Sequence, residues 1–164
     1  MEWILPIPTW LDLDEQPRAM FQLYRGPNGR EAIIDGNAFV ERTLPGRIQR
    51  GLTSEEMEEY RRPFLDPKSR EPVYRFPNEL PIAGFPADVY AMVLAYDQWL
   101  VSSDMPVLLF HVKPGVFVTP ARAAYYIAHL KNCRDVKLGR GWHFVQEDHA
   151  DAIGSAISAW LPTL

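Results

Sequence analysis

Residues 106–112 read Pro-Val-Leu-Leu-Phe-His-Val, a continuous apolar run of strand length. Such runs are typical of parallel strands that helices cover on both faces. Downstream, the pattern predicts a helix over residues 119–130, a second and shorter strand over 134–138, and a final helix over 148–161. The order strand, helix, strand, helix predicts an α/β fold with a right-handed parallel unit of a doubly wound sheet.

Two strands do not make a sheet of ordinary size. A strand as apolar as residues 107–112 needs neighbours along both edges, and sheets usually contain about five or six strands. We therefore expect that the strands preceding this unit are absent from the 164 residues. An unpaired apolar edge also predicts poor folding of the chain alone, because such edges invite aggregation.

The first two thirds of the chain differ in character from this unit. Residues 6–86 are rich in proline, charges and short amphipathic stretches, which predicts a lid of short helices joined by turns. Four helices are predicted, over residues 12–25, 31–44, 53–62 and 86–101, and Thr53 with Glu56 forms a capping-box pattern at the start of the third. The predicted division is a strand end at 1–7, a helical cap at 8–104 and the α/β unit at 105–164.

Composition excludes several classes of protein. With 47% hydrophobic and 23% charged residues the chain can bury a core, and its formal net charge of -4 argues against binding to nucleic acid or to an anionic membrane. A single cysteine, Cys133, cannot form an internal disulfide, and no Cys/His spacing suggests a zinc site. Neither a membrane span nor a signal peptide is visible. We expect a cytoplasmic, soluble chain without a metal or cofactor.

The candidate catalytic residue is His143, in the loop that follows the second predicted strand. Ligands of such sheets bind at the carboxyl ends of the strands, and the aromatic neighbours Trp142 and Phe144 would keep an imidazole neutral and basic. The same position fits a loop histidine that caps the last helix equally well. His111, His129 and His149 lie within a strand or a helix and are expected to be structural.

A general base of this kind needs a carboxylate that orients it. The loop after the first strand contains no acid, and Asp135 lies at the wrong end of the second strand. The acid must therefore come from elsewhere. Glu2 lies just ahead of the lid, where a preceding strand would end, although by itself it reads as an exposed terminal residue.

Motifs along the whole chain resemble those of the haloalkane dehalogenases. They occur in one order, and they are Glu2-Trp3-Ile4, Pro6-Ile7-Pro8-Thr9-Trp10, Asn37-Ala38-Phe39-Val40-Glu41, Leu44-Pro45, Leu52-Thr53, Glu56-Met57, Tyr60-Arg61, Pro63-Phe64, Ser69-Arg70-Glu71-Pro72, Phe76-Pro77-Asn78-Glu79-Leu80-Pro81-Ile82-Ala83-Gly84, Leu108-Leu109-Phe110, Pro114-Gly115, Asn132-Cys133 and His143-Phe144-Val145-Gln146-Glu147-Asp148.

The resemblance implies the fold of an α/β-hydrolase and a specific chemistry. In that family an Asp carboxylate displaces halide from carbon, and a histidine then activates the water that hydrolyses the alkyl ester. The resemblance assigns the base to His143 and the acid that orients it to Glu2. It also implies an apolar tunnel for a halogenated alkane, and the residues that would contact the substrate are Phe39, Phe76, Pro77, Leu80, Val116, Phe117, Trp142 and Phe144. Core packing explains the cap members of this set equally well.

Three departures from the family limit what the resemblance implies. The nucleophilic Asp and the Trp and Asn that hold the halide belong to the family's first half, and no position here corresponds to them. Trp142 stands where the family more often has a smaller residue, and Val112-Lys113 replace a small glycine-containing turn.

Three interpretations follow. The chain is the C-terminal part of a haloalkane dehalogenase, inactive alone and completed by a missing N-terminal half; it derives from a related α/β-hydrolase such as an epoxide hydrolase; or it is a non-catalytic binding fragment.

Overall fold

The computed structural model describes residues 2 and 5–164. These residues form two compact units. One comprises the described residues of Met1–Pro6 together with Ile48–Arg50 and Met92–Leu164, and the other comprises Ile7–Arg47 and Gly51–Ala91. The predicted strand end at residues 1–7 falls partly on Met1, Trp3 and Ile4, which lie outside the described residues. The predicted three-part division into residues 1–7, 8–104 and 105–164 stays a prediction.

The unit of Ile7–Arg47 and Gly51–Ala91 consists of short helices, as the proline-rich pattern predicts. Its longer elements are α1 (Glu15–Arg25), α2 (Ser54–Arg61), α3 (Glu71–Asn78) and the first turn of α4 (Ala87–Ser102). Tyr24, Ile33 and Ala38 form a buried cluster among them. The capping box predicted at α2 is present: Thr53 N donates to Glu56 Oε2 over 2.8 Å, and Glu56 N donates to Thr53 Oγ1 over 3.2 Å.

Two of the predicted helices are wrong in their bounds. Residues 12–25 do not form one helix, because the Asp12 carboxylate accepts from Thr9 N over 2.7 Å and closes a separate 3-10 turn before α1. Residues 31–44 form two π-helical segments, Glu31–Asp35 and Phe39–Thr43. Between them Asn37 has a φ of 48°, a left-handed conformation that a continuous helix cannot contain.

The other unit contains the predicted α/β element, with longer strands than predicted. Strand β1 (Val107–Pro114) leads through helix α5 (Pro120–His129) to the parallel strand β2 (Cys133–Gly141). The pairing shifts by one residue after His111, so that Val112 lies opposite Gly139. Gly139 has a φ of 103°, and a glycine accommodates this bulge because it lacks a Cβ. The bulge lets β2 continue to Gly141, past the predicted end at residue 138.

Helix α5 has the predicted N-cap, since Thr119 Oγ1 accepts from Arg122 N. Its Ala123 and Tyr126 pack with Leu109 of β1 and with Leu5 in a buried cluster. The predicted final helix is wrong at its start, because a separate turn, α6 (Val145–Asp148), precedes α7 (Ala150–Trp160).

Burial along β1 and α4 is uneven. Leu109 and Val112 are buried, whereas Val107, Leu108 and Phe110 are half-buried, as expected of an apolar strand that has β2 as its strand partner within the described residues. In α4, Met92 is 61% exposed, whereas Val93 is buried. Among the described helices, none is long and apolar enough to cross a membrane.

Candidate active site

The Glu2 carboxylate lies in a cradle of backbone amides beyond the end of β1. Glu2 Oε1 accepts from Val116 N over 2.7 Å and from Val118 N over 3.0 Å, and Oε2 accepts from Phe117 N over 3.0 Å. Three successive N–H groups that point at one carboxylate form an anion-binding nest. A carboxylate can accept all three of these bonds, because its two oxygens offer several lone pairs.

Gly115 makes this cradle sterically possible. Its φ is +69°, and a Cβ at this position would lie 2.5 Å from the Val118 carbonyl oxygen and 3.0 Å from Glu2 Oε1. Gly115 N also donates to the Gly141 carbonyl over 3.2 Å, which ties the loop to the end of β2. A side chain at this position would clash with the Val118 carbonyl and crowd the Glu2 carboxylate.

The imidazole of His143 occupies the remaining side of the Glu2 carboxylate. Its Nδ1 lies 2.9 Å from Glu2 Oε2, and the side chains of His143 and Glu2 are 15% and 3% exposed. The Phe117 and Phe144 rings meet the imidazole edge to face, with ring centroids at 5.3 Å and 4.8 Å. A hydrogen bond and two aromatic contacts thus fix the orientation of the ring.

The partners of Glu2 decide which imidazole nitrogen carries the proton. Because the carboxylate is a pure acceptor, the bond between Glu2 and His143 needs a hydrogen on Nδ1. In the neutral ring Nε2 then carries the lone pair and can accept a proton. The Glu2 anion also stabilises the imidazolium that forms once Nε2 is protonated. The arrangement has the chemistry of an oriented general base.

The other three histidines have local partners. His111 Nε2 lies 3.3 Å from Asp135 Oδ2, across the strand pair. His129 stacks on Tyr125, with ring centroids 4.0 Å apart, and its Nδ1 lies 2.7 Å from the Tyr125 carbonyl oxygen. His149 Nε2 lies 2.8 Å from the Arg140 carbonyl oxygen. It is His149 that precedes α7 as its N-cap residue, so His143 does not cap the last helix.

The residues predicted to contact substrate fall into two groups. Val116, Phe117 and Phe144 are buried around Glu2 and His143. Trp142, the residue before His143, is half-buried. Phe39, Phe76, Pro77 and Leu80 lie in the unit of Ile7–Arg47 and Gly51–Ala91. There Pro77 and Leu80 are buried, Phe39 is half-buried with its ring 6.4 Å from that of Tyr24, and Phe76 is 48% exposed. A role of either group in substrate contact stays a prediction.

A largely apolar groove of about 730 Å³ runs along β1 and reaches Glu2. It is lined by most of β1 and by apolar residues of α4 and α7, which include Leu100, Ile153, Ile157 and Trp160. Within residues 2 and 5–164, β2 is the strand that pairs with β1. The groove therefore follows the strand that the sequence predicts to need further neighbours.

Sequence reasoning missed two parts of this site. It did not find the amides of residues 116–118 as donors, although Pro114-Gly115 indicates a turn at that point. It also did not find Asp148 and Arg50, which hold the turn that follows His143 and are separated by 98 positions.

Elsewhere in the unit, burial raises the pKa of the Cys133 thiol, so this cysteine is a weak nucleophile. Over the described residues, no cluster of three or more His, Cys, Asp or Glu side chains could hold a metal ion.

Parallel strands joined by a helix, with a histidine and a carboxylate paired beyond the strand ends, define part of an α/β-hydrolase fold. Comparison with known proteins agrees. The crystal structure of the haloalkane dehalogenase DbeA from Bradyrhizobium elkani superposes with a TM-score of 0.96 at 45% identity, over 99% of this chain and 57% of that one.

Curated relatives give the same family. A haloalkane dehalogenase of Bradyrhizobium diazoefficiens is 47% identical over 98% of this chain and 56% of its own length. A haloalkane dehalogenase of Mycolicibacterium smegmatis is 37% identical over 98% of this chain and 52% of its own length. No family model matches. The chain is a homologue of the haloalkane dehalogenases, and it spans about half the length of the curated relatives it matches.

Proposed function

We propose that this chain carries the base and its orienting acid for the hydrolysis of carbon–halogen bonds to alcohol and halide. Two contacts of Glu2 support this proposal. Its Oε2 lies within hydrogen-bonding distance of His143 Nδ1, and three backbone amides hold its carboxylate in place. His143 is the water-activating base, and Glu2 holds the hydrogen of the neutral ring on Nδ1, so that Nε2 carries the lone pair and is correctly aimed. The chain would act in the cytoplasm and without a cofactor.

The reaction needs two carboxylates with different roles. One attacks the carbon and expels halide, which forms an alkyl ester; His143 Nε2 then takes a proton from water, and the resulting hydroxide attacks the ester carbonyl and releases the alcohol. Glu2 cannot be the attacking group, because both of its oxygens already accept hydrogen bonds and its side chain is 3% exposed. The nucleophile must be another carboxylate.

We infer that the nucleophile lies in the part of the relatives that this chain does not match. The 164 residues alone are therefore inactive, and a segment with the missing strands completes the site. The groove along β1 supports this inference, because among the described residues β1 pairs with β2 alone, and its apolar side chains suit a further parallel strand. The substrate is a small halogenated alkane, in keeping with the apolar side chains of Val116, Phe117 and Phe144 around the base.

Halide release from 1-bromobutane tests both the proposed function and the inferred inactivity of the chain alone. The chain alone should release none. Mixed or co-expressed with the unmatched part of the Bradyrhizobium diazoefficiens relative, it should release bromide, and His143→Ala should abolish that release. His111→Ala is the matched control, because it removes a histidine that also has a carboxylate partner. Release by the chain alone that depends on His143 would contradict the inferred inactivity, and a folded complex that releases no bromide would contradict the function.

A further inference from the structure

The turn that follows His143 is held by a carboxylate. Asp148 Oδ1 accepts from Gln49 N over 3.0 Å and from Arg50 N over 2.9 Å, and Oδ2 accepts from Gln49 N over 3.1 Å. Both donors are backbone amides in the short segment Ile48–Arg50, which belongs to the same compact unit as Asp148. One side chain at the end of α6 thus binds a segment almost one hundred residues away.

The Arg50 side chain reinforces this contact from the other direction. Its Nε donates to the Glu147 carbonyl over 2.7 Å, and its Nη2 donates to Glu147 Oε2 over 2.9 Å. Arg50 therefore binds both the backbone and the side chain of the residue before Asp148. Glu147 and Asp148 of α6 thus bind Gln49 and Arg50 in both directions. We call these four residues the latch.

The latch acts close to the imidazole. Helix α6 has four residues, too few to be stable without external contacts. Phe144, which packs on the His143 ring, is the residue that immediately precedes it. On the other side of His143, the Arg140 carbonyl accepts from His149, and the Gly141 carbonyl accepts from Gly115. With the strand side fixed in this way, the position of α6 determines where Phe144 and His143 lie.

We propose that Asp148, assisted by Arg50, is a positioning residue for His143. It holds α6 so that His143 Nδ1 stays within hydrogen-bonding distance of Glu2. A base displaced by about 1 Å loses much of its effect, so the latch would matter to catalysis without contacting the substrate. This inference rests on the proposed role of His143 as the base.

The test is solvent exchange of the His143 Nδ1 proton, measured by NMR on the 164-residue chain with labelled histidine. Asp148→Ala should raise this exchange rate about tenfold, as expected when a charge-assisted contact is lost. The amides of Val116, Phe117 and Val118 should stay protected, because Glu2 still holds them. Asp148→Asn should remain within about threefold of the unsubstituted chain, since the side-chain oxygen of the introduced asparagine can still accept from both amides.

Asp151→Ala is the matched control, because it removes an equal charge three positions away, at an exposed site. An exchange rate in Asp148→Ala no higher than in this control would overturn the proposal. An equal loss of protection at residues 116–118 would also overturn it, because that result means general destabilisation. If Asp148→Ala does not fold, Arg50→Gln decides, with the same expected direction at His143. The readout needs no turnover, so failed halide release with the expected exchange pattern would refute the proposed function alone.

Discussion

Substitution of Gly115 by alanine tests the geometry of the acid most directly. The new Cβ would lie 2.5 Å from the Val118 carbonyl oxygen and 3.0 Å from Glu2 Oε1, and the residue would keep a φ of +69°. A left-handed alanine costs about 1–2 kcal/mol. Displacing Glu2 from at least one of its amides adds the loss of a charge-assisted hydrogen bond, about 1.5–3 kcal/mol. The expected total is therefore about 2.5–5 kcal/mol.

Gly51→Ala separates the cost of a left-handed alanine from the cost of displacing Glu2. Gly51 has a φ of +74°, and its Cβ would meet no heavy atom within 4 Å, so this variant shows the backbone cost alone. Amide hydrogen exchange measures the free energy of opening in each unit, at α5 for Gly115→Ala and at α2 for Gly51→Ala. The amides of Val116, Phe117 and Val118 should lose protection in Gly115→Ala. Equal costs for the two variants, within about 0.5 kcal/mol, would refute the steric reasoning.

Two further predictions concern the unit of Ile7–Arg47 and Gly51–Ala91. Arg61 holds the pKa of the Glu41 carboxyl below its ordinary value through hydrogen bonds at 2.8–3.1 Å, so the pair stabilises the fold above about pH 4.5 and this contribution is lost as the pH falls further. Urea unfolding should therefore show Glu41→Gln as less stable than the unsubstituted chain at pH 7, with a difference that shrinks as the pH falls below about 4.5, and a constant difference would contradict the linkage. Thr53→Ala removes the N-cap of α2 and should destabilise that helix by about 1 kcal/mol, whereas Ser54→Ala should change its amide exchange little.

Local signals in the sequence predicted where helices α2 and α5 begin. The capping box of α2 and the N-cap of α5 depend on residues within three positions of each other, and such patterns are visible in any single sequence. The length of the strands was less predictable, because the bulge opposite Val112 depends on pairing with β1. The periodicity of β2 gives no sign that it continues past residue 138.

The split of the predicted helix at residues 31–44 has a tertiary cause. Arg70 Nη1 donates to the Ile34 carbonyl over 2.6 Å and to the Asp35 carbonyl over 3.2 Å. These carbonyls come just before the left-handed Asn37, where a continuous α-helix would use them as acceptors. A side chain about 35 positions away thus takes over bonds that the helix would otherwise make. No pattern within residues 31–44 carries that information.

The candidate site shows the same limit. The position of His143 after a strand could be inferred from the chain itself, but Glu2 could be chosen only through the resemblance to a family. The carboxylate and its amide donors are 114 to 116 positions apart, far beyond the reach of any helical or strand period. The amides themselves are invisible to sequence reasoning, since every residue except proline has one.

The bond between Glu2 and His143 closes a loop of 141 positions, which has a consequence for biosynthesis. A ribosome adds roughly 5–20 residues per second, so about 7–28 s pass between the synthesis of Glu2 and that of His143. The amides of residues 116–118 are made only near its end, so for most of this interval the carboxylate has none of these donors. The acid and the imidazole therefore meet after translation of both strands, in a slow, non-local step of folding.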